Sequence, residues 1–216
     1  MPSVFDVLGQ DHKEVKRMLA ELEKGPIAAT GASDNHLILR KKVVEELVIE
    51  ESRHEAVEEM YFWPTVRDRL PNGDELADTA TGQEQKGKEI LDRLDKLNVD
   101  QPEFEELVFT FINAGREHIA FEETKVWPPL QRTLTDDEAA RLGDQIAEAK
   151  KTAPTHPHPH SPPSPAVLKG AGPAVGRPTG SGTRPPAAAV IEPGTSEGRP
   201  GTGACRPAGG RRPATP

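Results

Sequence analysis

The motif H-x-x-x-E-E-x-x-x-W-P is written twice in this chain. It runs HEAVEEMYFWP from His54 to Pro64 and HIAFEETKVWP from His118 to Pro128, at an offset of 64 residues. On a helix, residues four apart lie one above the other at about 6 Å, so each copy aims an imidazole and a carboxylate at one point. The apolar residues around each copy keep the same helical spacing: Val43, Val44, Leu47 and Val57 around the first, Phe104, Leu107 and Phe111 around the second. Both His–Glu pairs therefore belong to faces that must be buried. The offset also aligns Val44 with Val108, Leu47 with Phe111 and Val48 with Ile112. The two helices are expected to be equivalent members of two helical hairpins.

Strand signals are nearly absent from the rest of the chain. A first helix is expected from Ser3, where S-x-x-D with Asp6 forms a capping pattern, with a stripe of Val4, Leu8, His12, Val15, Leu19 and Leu22. His12 lies within that stripe. The second helix runs from Ser33 or Asp34 to about Pro64, and PNGD (71–74) separates it from a third over roughly 75–97. The fourth carries Phe104 to Glu122, and T-x-x-E at Thr135 and Glu138 opens a last amphipathic helix with Leu142, Ile146 and Ala149. The expected fold is all-α: an antiparallel up-down-up-down four-helix bundle with a short fifth helix, because the connections are short.

Composition changes near Lys150. Residues 151–216 are rich in Pro, Gly and Ala and poor in large apolar residues, so a disordered tail is expected after a 1–150 bundle domain. The bundle holds 19 Lys/Arg against 33 Asp/Glu, whereas the tail holds 8 against 2. An acidic domain is a poor nucleic-acid partner, since that binding rests on cations neutralising phosphates. Cys205 is the only cysteine, so no intrachain disulfide forms and a reducing cytoplasm is expected. Neither an export signal nor an apolar run able to cross a membrane is apparent.

Two inward His–Glu pairs, with His12 added from the first helix, make a cage for metal. A buried carboxylate must be paired, protonated or metal-bound, because leaving it bare costs several kcal/mol. Mixed imidazole and carboxylate donors suit iron, manganese or zinc, and two ions bridged by glutamate are the natural occupancy of such a bundle. The second glutamates of the motif, Glu59 and Glu123, point about 100° away and are expected to face solvent. Trp63 and Trp127 are read as packing residues, each followed by a proline that kinks or ends its helix.

The order of His on the first helix, H-x-x-x-E on the second and H-x-x-x-E on the fourth resembles the hemerythrin-like, or HHE cation-binding, domain. The resemblance covers about residues 3–150. It implies a four-helix bundle with a non-haem di-iron centre that binds or reacts with dioxygen or related small oxidants. Carried over by position, the ligands are His12, His54, Glu58, His118 and Glu122. Members of the family usually add a histidine from the third helix, written E-H, but GQEQKGKEILDRL contains none. Alignment by eye puts Gln85 in that slot. Register favours Glu84: offsets of +3, +6, +7 and +10 reach Val15, Met18, Leu19 and Leu22 after His12. After Glu84 they reach Gly87, Ile90, Leu91 and Leu94. Gln85 ranks second and Glu89 third, and a hydrogen-bonding role for Glu84 beside an open metal site is the alternative.

A carboxylate in place of an imidazole hardens the site and favours the ferric state, which predicts a poor reversible oxygen carrier. The leading expectation is a cytoplasmic protein that binds or senses dioxygen, peroxide or nitric oxide. Catalase-like or nitric-oxide-consuming turnover, iron buffering and a metal-free helical scaffold are the alternatives. Glu50 and Glu51 are candidates to orient His54, Glu55 is expected at the surface with an edgewise reach to a metal as the alternative, and Tyr61 is either packed or a hydrogen-bond donor to the site. The tail's HPHPH (His156, His158, His160) is expected to offer at most weak metal affinity; it resembles a segment that follows the domain in some actinobacterial members of the family.

Overall fold

Ser3 closes the first helix with a full capping box: its hydroxyl accepts from the Asp6 amide, and the Asp6 carboxylate accepts from the Ser3 amide. The structure, a computed structural model, describes residues 1–157. Its helices are α1 (Val4–Lys24), α2 (Asp34–Val57), α3 (Trp63–Arg69), α4 (Gly73–Lys96), α5 (Pro102–Phe121), α6 (Trp127–Gln131) and α7 (Asp136–Lys150). Thr135 caps α7 with a second capping box, through Glu138. Between α3 and α4 the chain turns so tightly at Gly73 that a Cβ there would stand 2.2 Å from the Val66 carbonyl oxygen. The tail beyond Pro157, including His158 and His160, lies outside the described residues.

α1 packs on α2 and α5, and α4 packs on α2 and α5, so these four helices form a ring. Arg40 near the start of α2 reaches the Leu22 carbonyl near the end of α1 and Glu105 near the start of α5. Lys41 beside it donates to the carbonyls of Leu94 and Asp95 at the end of α4. Starts and ends thus alternate around one end of the ring, as an antiparallel bundle requires. α7 adds a fifth helix against α1 and α2.

The core is divided. One apolar cluster runs from Val15, Leu19 and Leu22 through Val44, Leu47, Leu91 and Leu94 to Phe104, Phe111 and Ile112. The other gathers Val4, Leu8, Val57, Phe62, Trp63, Ala77, Ala80, Trp127, Leu130, Leu142 and Ile146. Between them each of the four ring helices turns polar: His12 on α1, Glu51, His54 and Glu55 on α2, Glu84 on α4 and His118 on α5 are all buried.

Both motif helices widen just where their glutamates stand. Glu58–Phe62 and Glu122–Val126 are single π turns, in which the Trp63 amide bonds back to the Glu58 carbonyl and the Trp127 amide to that of Glu122. A proline in an ordinary helix lacks a donor and collides with the carbonyl four residues earlier. The π turn shifts that carbonyl away, so Pro64 and Pro128 stand in the first turn of α3 and α6. The chain stays helical through both prolines and ends at neither.

Candidate metal centre

All six residues singled out from the sequence, His12, His54, Glu58, Glu84, His118 and Glu122, meet in the polar layer. Their side chains are 0–9% exposed. Two groups form: His12, His54 and Glu122, and Glu58, Glu84, His118 and Glu122, each with ligand atoms within 4.8 Å of one another. Glu122 belongs to both. His12 Nε2 lies 3.1 Å from one Glu122 oxygen, His118 Nε2 3.1 Å from the other, and His54 Nε2 3.3 Å from Glu58 Oε2.

These approaches are close but not hydrogen bonded. Nε2 of all three histidines, both oxygens of Glu58 and of Glu122, and Glu84 Oε2 are buried with no hydrogen-bond partner among the described residues. Buried polar groups are ordinarily satisfied, and each one left bare costs on the order of 1–3 kcal/mol. Eight such atoms converging on one layer are what cations among them would satisfy. The donor set of imidazole nitrogens and carboxylate oxygens fits iron, manganese or zinc.

Charge in the layer is correspondingly tense. Burial pushes the Glu84 carboxyl up to about 7 against the pull of His118 and Lys88. Burial, with the Glu122 and Glu84 carboxylates adding to it, pushes Glu58 well above the carboxylate range. Burial would lower His118, yet the adjoining Glu122 carboxylate outweighs it and holds the imidazole at about 10. Burial likewise opposes ionisation of Glu122, but the closely approaching His118 and His12 imidazoles drive its carboxyl far down.

Each histidine is held from behind through Nδ1 by a different helix. Glu123 lies 3.0 Å from His12 Nδ1, Asp11 3.2 Å from His54 Nδ1, and the Gln83 amide oxygen 3.1 Å from His118 Nδ1. Such contacts fix the ring and turn Nε2 toward the layer. Lysines back both acids: Lys16 Nζ is 2.7 Å from Glu123 and Lys150 Nζ 2.6 Å from Asp11.

Several expectations are corrected here. Glu123 is only partly exposed and braces His12, and Glu59 is half-buried in an ion pair with Lys88. Glu55 is 2% exposed rather than at the surface, because α2 packs on α1, α4 and α7 and so buries more than one stripe. Glu50 pairs with Arg53, and Asp11 takes the part of His54's brace. Asp11, adjacent to His12 in sequence, was missed because it lies about 100° off the apolar stripe.

Both tryptophans do more than pack. The Trp63 indole donates to Glu84 Oε1 at 2.5 Å, and Trp127 stacks on His12. Glu84 is the inward residue of α4, while the Gln85 amide reaches Glu89 on the outer face. Tyr61 packs against the second apolar cluster and lines a surface cavity of about 480 Å³ beside α7.

A buried layer of histidines and glutamates across an antiparallel helical bundle defines a cation-binding four-helix protein. Residues 3–130 match the family model described as Hemerythrin HHE cation binding domain. The chain belongs to that family, and metal binding in this layer is the function that the family and the cluster support. An uncharacterized hemerythrin-like protein of Schizosaccharomyces pombe is 25% identical over 166 residues, 76% of this chain and 77% of that one. A hemerythrin HHE cation binding domain-containing protein from Mycobacterium kansasii, solved as a crystal structure, shares the fold with a TM-score of 0.56. It is 21% identical, and the match covers 70% of this chain and 87% of that one. Among the described residues no helix is long and apolar enough to cross a membrane.

Proposed function

We propose that the layer holds a pair of non-haem iron ions and that the protein senses or consumes a small oxidant, either dioxygen, peroxide or nitric oxide, in the cytoplasm. His12, His54 and Glu122 would hold one ion; Glu58, Glu84, His118 and Glu122 would hold the other. The observation that carries this reading is the sharing of Glu122 between two groups of otherwise unpartnered donors. Iron supplies one-electron chemistry toward such oxidants, which the side chains of this chain cannot.

The chain's own residues set the conditions for it. The apolar clusters on either side exclude bulk water from the layer. Glu123, Asp11 and Gln83 orient the imidazoles. Glu84, with its carboxyl near 7 in the metal-free layer, can hold a proton at neutrality, and Trp63 steadies its other oxygen. A carboxylate in the place of a fourth imidazole favours the ferric state, which supports consumption or sensing over reversible oxygen carriage.

Elemental analysis of protein purified without added metal tests the reading. Iron at two ions per chain is expected; stoichiometric zinc, or no metal, overturns it. Peroxide and nitric-oxide turnover by the iron-loaded protein then separates consumption from sensing.

A further inference from the structure

The stretch that matches the family ends at residue 130, before α7 begins. Yet α7 is seated on α1 at both ends and reaches the polar layer. At Gly143 a Cβ would stand 2.6 Å from the Pro2 carbonyl oxygen and 2.9 Å from the Val4 nitrogen, so only glycine allows this approach. Two turns further on, Lys150 Nζ lies 2.6 Å from Asp11 Oδ1. Gly143 to Lys150 and Val4 to Asp11 are equal advances along the two chains, about 10.5 Å on each helix. α7 therefore runs parallel to α1 in a register fixed at two points.

Asp11 uses its other oxygen on His54: Oδ2 lies 3.2 Å from Nδ1. Lys150 and Asp11 are both largely buried, 17% and 13% exposed at the side chain, so the contact is screened little by water. Glu50 also faces the ammonium, at 3.8 Å. Burial would raise the Asp11 carboxyl, but His54 and Lys150 together hold it below its usual value, as an ionised brace requires.

We propose that Lys150 is a positioning residue of the metal centre: by fixing Asp11, which in turn fixes His54, it makes α7 part of the apparatus that sets ligand geometry. The inference rests on the reading of His54 as a ligand. Under it α7 does more than bury its own Leu142 and Ile146: its last turn reaches the centre through the Lys150–Asp11 contact.

The test compares Lys150→Met, Lys150→Arg and Arg69→Ala in the full chain, with cobalt(II) as the probe metal. Arg69 holds the other end of α7 through Glu138, at 2.5 Å, and touches none of the histidines or their braces. Lys150→Met is expected to weaken cobalt binding about tenfold and to shift the cobalt absorption bands, and Lys150→Arg to restore both. Arg69→Ala is expected to lower the melting temperature while leaving affinity and bands as they are. Unchanged binding and bands in Lys150→Met, or the same changes in Arg69→Ala, would overturn the proposal. Should the unsubstituted protein take up no cobalt, the metal reading itself fails. Nitrogen NMR of His54 in metal-free protein then decides: loss of the Nδ1-protonated form in Lys150→Met supports the brace, and no change overturns it.

Discussion

The indole of Trp127 lies flat on the imidazole of His12, with ring centroids 4.8 Å apart and planes inclined by 11°. Trp63, from the same apolar cluster, donates to Glu84. The chain has just these two tryptophans, and both touch a residue assigned to the metal. Metal loading is therefore expected to change intrinsic fluorescence in proportion to occupancy, and titration with iron(II) under nitrogen checks it. Trp127→Leu should leave His12 loosely held and weaken binding about tenfold. Phe5→Leu, which removes only the edge contact behind Trp127, should not.

Glu122 is common to both donor groups, whereas Glu58 belongs to one. Glu122→Gln is expected to remove both metal ions. Glu58→Gln should leave a single ion per chain, held by His12, His54 and Glu122. Elemental analysis after gel filtration distinguishes the two outcomes. Equal losses in both variants would count against two separate positions.

The metal-free and metal-loaded proteins should respond to pH with opposite signs. Glu84 is raised from 4.5 to about 7, so the stability it contributes is complete below pH 4.5 and is lost as pH rises through 7. His118 is raised from 6.5 to about 10, so its contribution begins to fall above pH 6.5. Glu122 is depressed, and its contribution is already complete above pH 4.5. Metal-free protein is thus expected to melt at lower temperature at about pH 8 than at about pH 5.5. In the loaded protein protons compete with metal for the same atoms, and the trend reverses. Calorimetry of both forms across this window is the measurement.

Arg40 grips Glu105 with two hydrogen bonds of 2.7 and 2.6 Å and the Leu22 carbonyl with a third of 2.7 Å. This knot ties three helices at the end of the bundle remote from the layer. Arg40→Leu leaves a half-buried carboxylate and a carbonyl unpaired, which should cost about 3 kcal/mol in denaturant unfolding. Metal stoichiometry should stay the same. Arg40→Lys should not restore stability, because an ammonium cannot make the paired contact.

Much of this was readable from the chain, and the reasons differ by feature. The bundle and its caps follow from helical periodicity and two S/T-x-x-D/E patterns, which depend only on neighbours in sequence. The six convergent residues were legible because the motif repeats and each lies on an apolar stripe; Glu84 emerged from register alone. What surrounds them was hidden. Glu123, Asp11 and Gln83 sit off the stripes, and only the packing of one helix on another brings them to Nδ1 of the histidines. The π turns were hidden too. W-P reads as a helix terminus unless tertiary packing keeps the chain helical beyond it, as α3 and α6 do.

Sandwiching the polar layer between two apolar clusters puts packed side chains above and below the centre along the bundle axis. A molecule that came along that axis would have to part packed side chains on its way. By that path girth would count before affinity, and a slim diatomic would fare better than anything bulkier.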